Sequence, residues 1–196
     1  EQKSLRNMIH RLACKAANIF IRTGSAQEGD RELYIFGAEQ GIWMLLNVAT
    51  AGILGWLTGE LLSCTVYLLL YIPLRRYVGG FHAAGYVRCW AGSGVMILAV
   101  LLTVRYREVP IWAELLIILA CAALIARLSP VTVPNRPLSD EEKTIYRKKA
   151  RMMAAVQVIL ALTAGAAGAG WILECVMYSF LSLSCLMLIE ITRRKK

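Results

Sequence analysis

The sequence predicts an all-α, polytopic membrane protein with six hydrophobic segments and an N-terminal amphipathic interfacial helix. Of its 196 residues, 58% are hydrophobic, and the mean hydropathy is +0.55. A soluble domain is usually about 45–50% apolar. The apolar residues are gathered into runs long enough to cross a bilayer core of about 30 Å. Residues 1–196 are therefore expected to form a single integral membrane domain.

Residues 1–30 are expected to form an amphipathic helix followed by a loop. Apolar residues such as Met8, Leu12 and Ile19 recur at helical spacing, and basic residues lie largely on the opposite side. This pattern is typical of a helix that lies on a membrane surface. The stretch TGSAQEGD, residues 23–30, then interrupts the pattern as a loop.

Six apolar segments within residues 33–192 are predicted to cross the membrane. Their predicted bounds are 33–57, 61–74, 89–104, 111–128, 152–170 and 171–192. The second segment is short for a full crossing, and the fifth and sixth meet at a tight hairpin, GAGW. The two halves show no sequence repeat, which argues against a transporter built from repeats.

The lysines and arginines predict the orientation of these segments. With the N-terminus inside, twenty of the 22 basic residues fall on the cytoplasmic side, and only Arg105 and Arg107 fall outside. This asymmetry predicts six crossings of a plasma membrane with both termini cytoplasmic. The net charge of +9 is then explained by orientation and by contact with anionic membrane lipids. The chain contains no nucleic-acid-binding motif, so a nucleic acid is not an expected partner.

The cysteine spacing excludes common metal and redox motifs. No CxxC pair occurs among the six cysteines, so neither a zinc site nor a redox pair is indicated, and no cofactor is expected. Four of them lie inside apolar runs, where cysteine packs as a small hydrophobe: Cys64, Cys121, Cys175 and Cys185. Cys14 lies among basic residues, and only Cys89 has neighbours that suggest chemistry.

Those neighbours form the stretch RRYVGGFHAAGYVRC, residues 75–89, on the predicted cytoplasmic side. Gly79 and Gly80 stand where the second segment would continue as a helix, and glycine permits unusual backbone angles. Irregular backbone at membrane depth persists only when it is buried in protein or lines a wet cavity. The glycines, with Arg75 and Arg76 on the cytoplasmic side, are therefore expected to end the second segment early and to fold the chain back.

Cys89 and His82 are a candidate nucleophile and base in this stretch. Cys89 is predicted to begin the third span, and the partial positive charge of a helix N-terminus favours a thiolate. On a straight helix, however, seven residues separate two side chains by about 10 Å, whereas proton transfer needs about 3 Å. A bend near Gly85 is therefore required. In a regular helix both residues would be packing residues only.

Other groups are candidates for a supporting role. The backbone N–H groups of Gly79, Gly80 and Cys89 are candidate oxyanion donors, and the sequence does not choose among them. Glu39, with Gln40 beside it, lies inside the first span at a depth similar to that of His82. An ionisable residue there needs a partner. Glu39 either orients the imidazole or pairs with an arginine of the loop.

The pattern Arg75, Gly80, His82, Ala83 and Cys89 resembles the signature of the AgrB family, the accessory gene regulator B membrane peptidases of bacterial quorum sensing. The His-to-Cys spacing matches the catalytic pair of that family. The stretch YIFGAEQGIWMLLN resembles its first span, and LSPVTVPNRPLSDEEK resembles its proline-rich basic loop. The acidic residues at the end of this second stretch depart from the family pattern.

This resemblance implies a membrane cysteine endopeptidase that removes the C-terminal tail of a propeptide and closes a thiolactone or lactone ring through a thioester on Cys89. The propeptide would carry an amphipathic leader and an acidic tail. Basic residues would bind that tail: Arg76, Arg136, Lys143, Arg147, Lys148 and Lys149. They also fit simple membrane anchors. Two alternatives remain open, a non-catalytic scaffold or carrier and a thioester acyltransferase, and a homodimer is compatible with either.

Overall fold

The structure, a computed structural model, describes residues 2–23, 27–81, 85–106, 109–131 and 138–194. Over these residues it is all-helical, as predicted, with one short 3₁₀ turn at Glu28–Asp30. The seven α-helices are α1 (Gln2–Arg22), α2 (Arg31–Thr58), α3 (Leu61–Val78), α4 (Tyr86–Tyr106), α5 (Ile111–Leu128), α6 (Asp140–Ala166) and α7 (Gly170–Arg194). Helices α2 to α7 are each long and apolar enough to cross a membrane, so the six predicted spans are confirmed as helices.

Several predicted boundaries are wrong, and the reasons are local. Helix α3 passes through both arginines and ends at Val78, because a helix tolerates arginine and ends at a glycine of positive φ, here Gly79. The fifth span begins at Asp140 instead of residue 152. A capping box starts it, in which the Ser139 hydroxyl accepts from the Glu142 N–H and the Glu142 carboxylate accepts from the Ser139 N–H. The acidic start of this segment is therefore a helix-starting signal.

The chain divides into two compact units. The first unit comprises Glu1–Ile53 and Ala83–Val95, and the second comprises Leu54–His82 and Met96–Lys196. Helix α1 packs antiparallel on the first half of α2. The Arg31 guanidinium donates to the Asn18 amide oxygen, and Phe20 stacks on Tyr34 with ring centroids 6.2 Å apart.

Two sides of α1 have different surroundings. Small and apolar residues are buried along one side, at Ile9, Ala13 and Ala17. A second side exposes large apolar chains: Met8, Leu12 and Ile19. This exposed face is what an interfacial helix needs, and its contact with lipid stays a prediction.

The core of the second unit is built around α7. This helix contacts α3, α5 and α6, and more than half of the residues in its most apolar stretch are buried. Phe180, Leu183 and Met187 on α7 pack in one cluster with Leu74 and Val78 at the end of α3. The end of α3, where the predicted site begins, is therefore supported by the best-buried helix of the unit.

Candidate active site

The chain leaves α3 through a short segment, residues 78–81, that is fixed by its backbone. Gly79 has φ +75° and Gly80 has φ +112°. The Val131 N–H donates to the Val78 carbonyl at 2.9 Å, so that Gly79 and Val131 form a parallel β-bridge, and the Phe81 N–H donates to the Leu186 carbonyl of α7 at 3.0 Å. We call residues 78–81 the bridge segment. Its shape is specified by hydrogen bonds to two distant parts of the second unit.

Arg75 holds the bridge segment from one side. Its guanidinium donates to the carbonyl of Gly79 and, at 2.5 Å, to the carbonyl of Phe81. These are charge-assisted hydrogen bonds, which are stronger than neutral ones. The fork geometry of arginine suits two carbonyls that lie two residues apart, and lysine has no equivalent. Arg75 therefore acts as a clamp, which joins two carbonyls across the turn.

The two glycines fit this segment for steric as well as conformational reasons. A Cβ atom on Gly79 would lie 2.2 Å from the Val131 carbonyl oxygen, and one on Gly80 would lie 2.6 Å from the Arg75 guanidinium. Any side chain at either position must push apart the bridge or the clamp. The prediction that these glycines let the backbone turn is confirmed.

Cys89 lies in the first unit, in the first turn of α4, which begins at Tyr86 and not at Cys89 as predicted. Side chains hold this turn against α2. The Gln40 amide donates to the Tyr86 hydroxyl at 2.8 Å, and Tyr86 stacks on Trp43 with centroids 5.6 Å apart. The Trp90 indole donates to the Thr50 hydroxyl at 3.0 Å. Cys89 is half-buried and Arg88 is exposed.

The predicted bend is confirmed in the part of the stretch that the structure describes. The helix stops at Val78, Gly85 has φ +98°, and helix resumes at Tyr86, so no regular helix joins Gly80 to Cys89. His82 and Ala83 lie outside the described residues. The close approach of His82 to the Cys89 sulfur therefore stays a prediction.

The backbone contacts narrow the choice of oxyanion donor. The Gly79 N–H donates to the Arg75 carbonyl at 3.2 Å, and the Cys89 N–H donates to the Gly85 carbonyl at 3.1 Å. Both groups are thus occupied by helical bonds. Within the described ranges, the Gly80 N–H donates to no backbone carbonyl. Of the three predicted donors, Gly80 fits the role best.

Glu39 has a partner that the sequence reasoning missed. The Nδ1 atom of His10 lies 2.5 Å from the Glu39 carboxylate, so α1 and not the loop supplies this partner. The pairing with a loop arginine is therefore wrong. Because His10 and Cys14 are four residues apart on a helix, their spacing was a signal that they share a face. No local signal joins either residue to Glu39, since the contact depends on how α1 packs on α2.

The basic residues expected in a loop after α5 lie mostly on α6. Two residues bind the end of α5: Arg147 donates to the Ser129 carbonyl at 3.1 Å, and Arg151 to the Ala126 carbonyl at 3.0 Å. Lys143 pairs with Asp140 at 2.8 Å, and Lys148 is exposed. Arg136 is outside the described residues. Arg147 and Lys143 thus have structural contacts of their own.

A smaller cationic cluster lies at the end of α3, directly before the bridge segment. The Lys149 ammonium lies 5.3 Å from the centroid of the Tyr77 ring, and the Arg76 guanidinium 6.0 Å from it. Tyr146 packs edge-on against Tyr77 at 5.5 Å. Both cations lie at cation–π distance from this ring. We call Arg76, Tyr77, Tyr146 and Lys149 the cation–tyrosine cluster.

The cysteines other than Cys89 differ in exposure: Cys64, Cys121 and Cys175 are buried, Cys14 is half-buried and Cys185 is exposed. None of the six cysteines, all of which lie in the described ranges, forms a disulfide. Glu114, Glu174 and Glu190, which a scaffold or carrier would use as polar packing or as a path, are buried in the second unit with exposures of 2%, 6% and 4%. Among the residues that the structure describes, no group of three or more metal ligands is suited to hold an ion.

Comparison with known proteins supports one assignment. No curated protein and no solved structure matches the chain. The family accessory gene regulator B, AgrB, matches residues 13–190, which is nearly the whole chain and includes Arg75, the bridge segment and Cys89. Membership implies a multi-pass bacterial membrane protein that takes part in the processing of quorum-sensing propeptides. The chain belongs to the AgrB family.

Proposed function

We propose that this protein is a membrane cysteine endopeptidase that removes the C-terminal tail of a quorum-sensing propeptide and closes the remainder into a thiolactone or lactone ring. One observation carries the proposal. The helical interruption between α3 and α4 contains three glycines of positive φ and places Cys89 in the first turn after it. A packing cysteine in a membrane helix needs no such interruption, whereas a reacting thiol needs space for a peptide and a base.

The chemistry begins on Cys89. His82 takes the thiol proton, and the thiolate attacks the carbonyl carbon of the peptide bond before the tail. The C–N bond breaks, His82 returns the proton to the leaving amine, and the peptide remains as a thioester on Cys89. A nucleophilic side chain of the propeptide then attacks the thioester carbonyl, which closes the ring and restores the Cys89 thiol. Exclusion of water favours ring closure over hydrolysis.

The bridge segment supports this reaction through its rigidity. Two anchors, Val131 and Leu186, and the Arg75 clamp fix the backbone directly before His82. A base acts well only when its position is fixed before the reaction. The Gly80 N–H is the proposed donor to the tetrahedral oxyanion, with an expected contribution of about 3–4 kcal/mol. Because Gly80 is buried, that donor acts in a water-poor site.

Substrate recognition is assigned to two surfaces. The cation–tyrosine cluster presents Arg76 and Lys149 beside the start of the bridge segment, so an acidic tail bound there would leave its scissile bond close to that segment. The exposed apolar face of α1 is the proposed contact for the amphipathic leader and for membrane lipid. The protein then needs no cofactor, since thiol, base and oxyanion donor are all its own groups.

The proposed orientation has both termini in the cytoplasm. The Arg105 guanidinium donates to the Thr58 carbonyl at 2.6 Å, which agrees with α2 and α4 ending on one side. Near that side the exposed rings of Trp56, Tyr106 and Trp112 suit a membrane–water interface. In a cysteine-labelling scan, Arg76→Cys, Ser139→Cys and Lys196→Cys should react from the cytoplasm, and Glu108→Cys from outside. Labelling of position 139 from outside would overturn the six-span arrangement.

Co-expression with candidate propeptides, followed by mass spectrometry, tests the activity. The parent should release a linear acidic tail and form a product lighter than the linear remainder by one water. Cys89→Ala should abolish both products, while Cys64→Ala, Cys121→Ala, Cys175→Ala and Cys185→Ala should retain them. Tail release by inserted Cys89→Ala protein would exclude an acyl-enzyme. Acyl transfer to another molecule without tail release would favour an acyltransferase.

A further inference from the structure

Three reactive side chains meet in the first unit without any role in the chemistry proposed for Cys89. The Sγ atom of Cys14 lies 3.6 Å from Nε2 of His10, and Nδ1 of His10 lies 2.5 Å from Oε1 of Glu39. A thiol, an imidazole and a carboxylate therefore stand in line. This order is that of a nucleophile, a base and the group that orients the base.

The helices fix this order. His10 and Cys14 are one turn apart on α1, so they share a face. Glu39 comes from α2, on which α1 packs antiparallel. The Glu39 carboxylate accepts a hydrogen bond from the Nδ1–H group of His10, so in this tautomer Nε2 is the acceptor that faces the Cys14 thiol. The tautomer follows from this hydrogen-bond pattern.

The line of three residues is open to water. The His10 side chain is 58% exposed, whereas that of Glu39 is 20% exposed, so the carboxylate is the sheltered end. Cys14 is half-buried, and Arg11 and Asn18 beside it on the helix are exposed. The exposed apolar chains Met8 and Leu12 lie on the opposite side of α1. A molecule that reaches Cys14 therefore comes from the aqueous side of α1.

The position of Cys14 decides which acyl group it can accept. Cys14 lies in the middle of α1, where the backbone N–H groups of the helix are used by its own hydrogen bonds. Cleavage of an amide by a thiol needs oxyanion donors and a protonated leaving amine. Exchange between a thiol and a thioester is nearly balanced in energy, because the same type of bond is broken and formed. A thioester is thus the acyl donor that suits this site.

We propose that Cys14, His10 and Glu39 form a second thiol site, which accepts acyl groups from thioesters. His10 Nε2 takes the Cys14 proton, and the thiolate attacks the thioester carbonyl carbon. A Cys14–acyl bond forms, the carbon–sulfur bond of the donor breaks, and His10 returns the proton to the departing thiolate. Glu39 is a positioning residue that acts through His10.

Two sources can supply such a thioester. One is the peptidyl thioester on Cys89, and this source rests on the proposed function. The other is a soluble acyl thioester from the cytoplasm, which does not. Both present the same carbonyl and the same leaving thiol, so the site itself can be tested before its natural donor is known.

The test uses the full chain in detergent with Cys89→Ala and acetylglycine S-benzyl thioester as the probe. Peptide mapping by mass spectrometry follows acylation of each cysteine with time. The matched control carries Cys14→Ser and Asn18→Cys in addition. These two changes move the thiol by one helical turn along α1, to an exposed position farther from His10. Cys14 should react at least about tenfold faster than the thiol introduced by Asn18→Cys. Equal rates at the two thiols would overturn the proposal.

Substitution and rescue separate chemistry from packing. His10→Ala should lower the rate of Cys14 acylation to about that of the control thiol. Added imidazole should restore part of this rate, because the position that the ring vacates is exposed. Glu39→Gln should lower the acylation rate less than His10→Ala does. In the double variant it should cause no further loss beyond that of His10→Ala, because Glu39 acts only through the imidazole ring. If imidazole does not restore the rate, His10 is not the base. If the losses of the two single variants add up in the double variant, Glu39 does not act through His10.

A second arm identifies the donor. Propeptide is added to chains that retain Cys14, with Cys89 either intact or replaced by alanine. A peptidyl adduct on Cys14 that requires Cys89 supports the enzyme's own thioester as the source. If the tail is released through Cys89 without such an adduct, the peptidyl thioester is excluded as the source. The reaction of Cys14 with the thioester probe then decides whether the second thiol site exists. Absence of tail release would count against the proposed function only.

Discussion

The two segments that carry the proposed catalytic residues, one in each compact unit, are built in different ways. On the side of His82, the bridge segment is held through backbone atoms: Val131, Leu186 and the Arg75 guanidinium all bond to main-chain groups. On the side of Cys89, the first turn of α4 is regular helix, and side chains on α2 hold it, through Gln40, Trp43 and Thr50. The first side depends on one conformation of the chain, and the second on the fit between two helices.

This difference predicts unequal tolerance to substitution. A backbone segment with positive φ and hydrogen-bonded, part-buried carbonyls has few alternative arrangements, so loss of one clamp affects every group that follows it. A helical turn keeps its own hydrogen bonds when a neighbouring side chain is trimmed. Substitutions on the side of His82 should therefore cost more activity than those on the side of Cys89.

The largest effect is expected for Arg75→Ala. This change leaves the carbonyls of Gly79 and Phe81 without their charged donor. The clamped conformation of the bridge segment should lose about 2–4 kcal/mol, which corresponds to a loss of roughly 30-fold to 1,000-fold in the rate of tail cleavage. Arg75→Lys should recover only part of the rate, because lysine cannot span both carbonyls. The measurement is the single-turnover rate of tail release. Arg127→Ala, at an exposed arginine near the end of α5, is the control. Equal losses for both arginines would break the comparison.

A smaller effect, on stability, is expected for Gly79→Ala. Gly59 offers a matched control, because its φ is +74° against +75° for Gly79 and nothing lies within 4 Å of its missing Cβ. The positive φ strains alanine at either position. At Gly79 the ψ of −151° adds to this strain, because only glycine readily adopts this pair of angles. At Gly79 the contact with Val131 adds about 1–3 kcal/mol. Thermal unfolding in detergent should therefore show the lower midpoint for Gly79→Ala. Identical midpoints would mean that the bridge does not constrain the segment.

Tyr86→Phe should have a modest effect on the side of Cys89. It removes the hydroxyl that accepts from Gln40 and keeps the stack on Trp43. One hydrogen bond is worth about 1 kcal/mol, so tail cleavage should fall by about fivefold. Tyr106→Phe, at an exposed ring near the far end of α4, is the control. A loss as large as that of Arg75→Ala would show that both sides are equally sensitive.

The smallest effect is expected for the cations that bind the tail. Lys149→Gln should weaken capture of an acidic propeptide by about 0.5–1 kcal/mol, and high salt should reduce the difference, since the contact is exposed. The double change with Lys148→Gln should add little, because Lys148 lies outside the cation–tyrosine cluster. Cleavage rate against propeptide concentration, at low and high salt, measures this. A lower maximal rate with unchanged half-saturation would place Lys149 in the chemistry instead.

The sequence predicts those features that depend on local chemistry. The six spans follow from apolar runs, and the break between α3 and α4 follows from Gly79, Gly80 and Gly85. The start of α6 was predicted wrongly although Ser139 and Glu142 carry its signal, because basic residues beside a membrane were read as a loop. Contacts between distant segments have no local signal. The bridge from Val131, the bond to Leu186 and the pairing of His10 with Glu39 all depend on how the helices pack.

The central claim is that Cys89 carries the peptide as a thioester, and trapping that species tests it most directly. The propeptide is made without its ring-closing nucleophile, so that the thioester persists, and Cys14→Ser is introduced so that Cys14 cannot accept it. The intact mass of the protein should then rise by the mass of the propeptide without its tail, less one water. The adduct should map to Cys89 and be removed by hydroxylamine. Tail release with no adduct, or with an adduct on any other residue, would contradict the account.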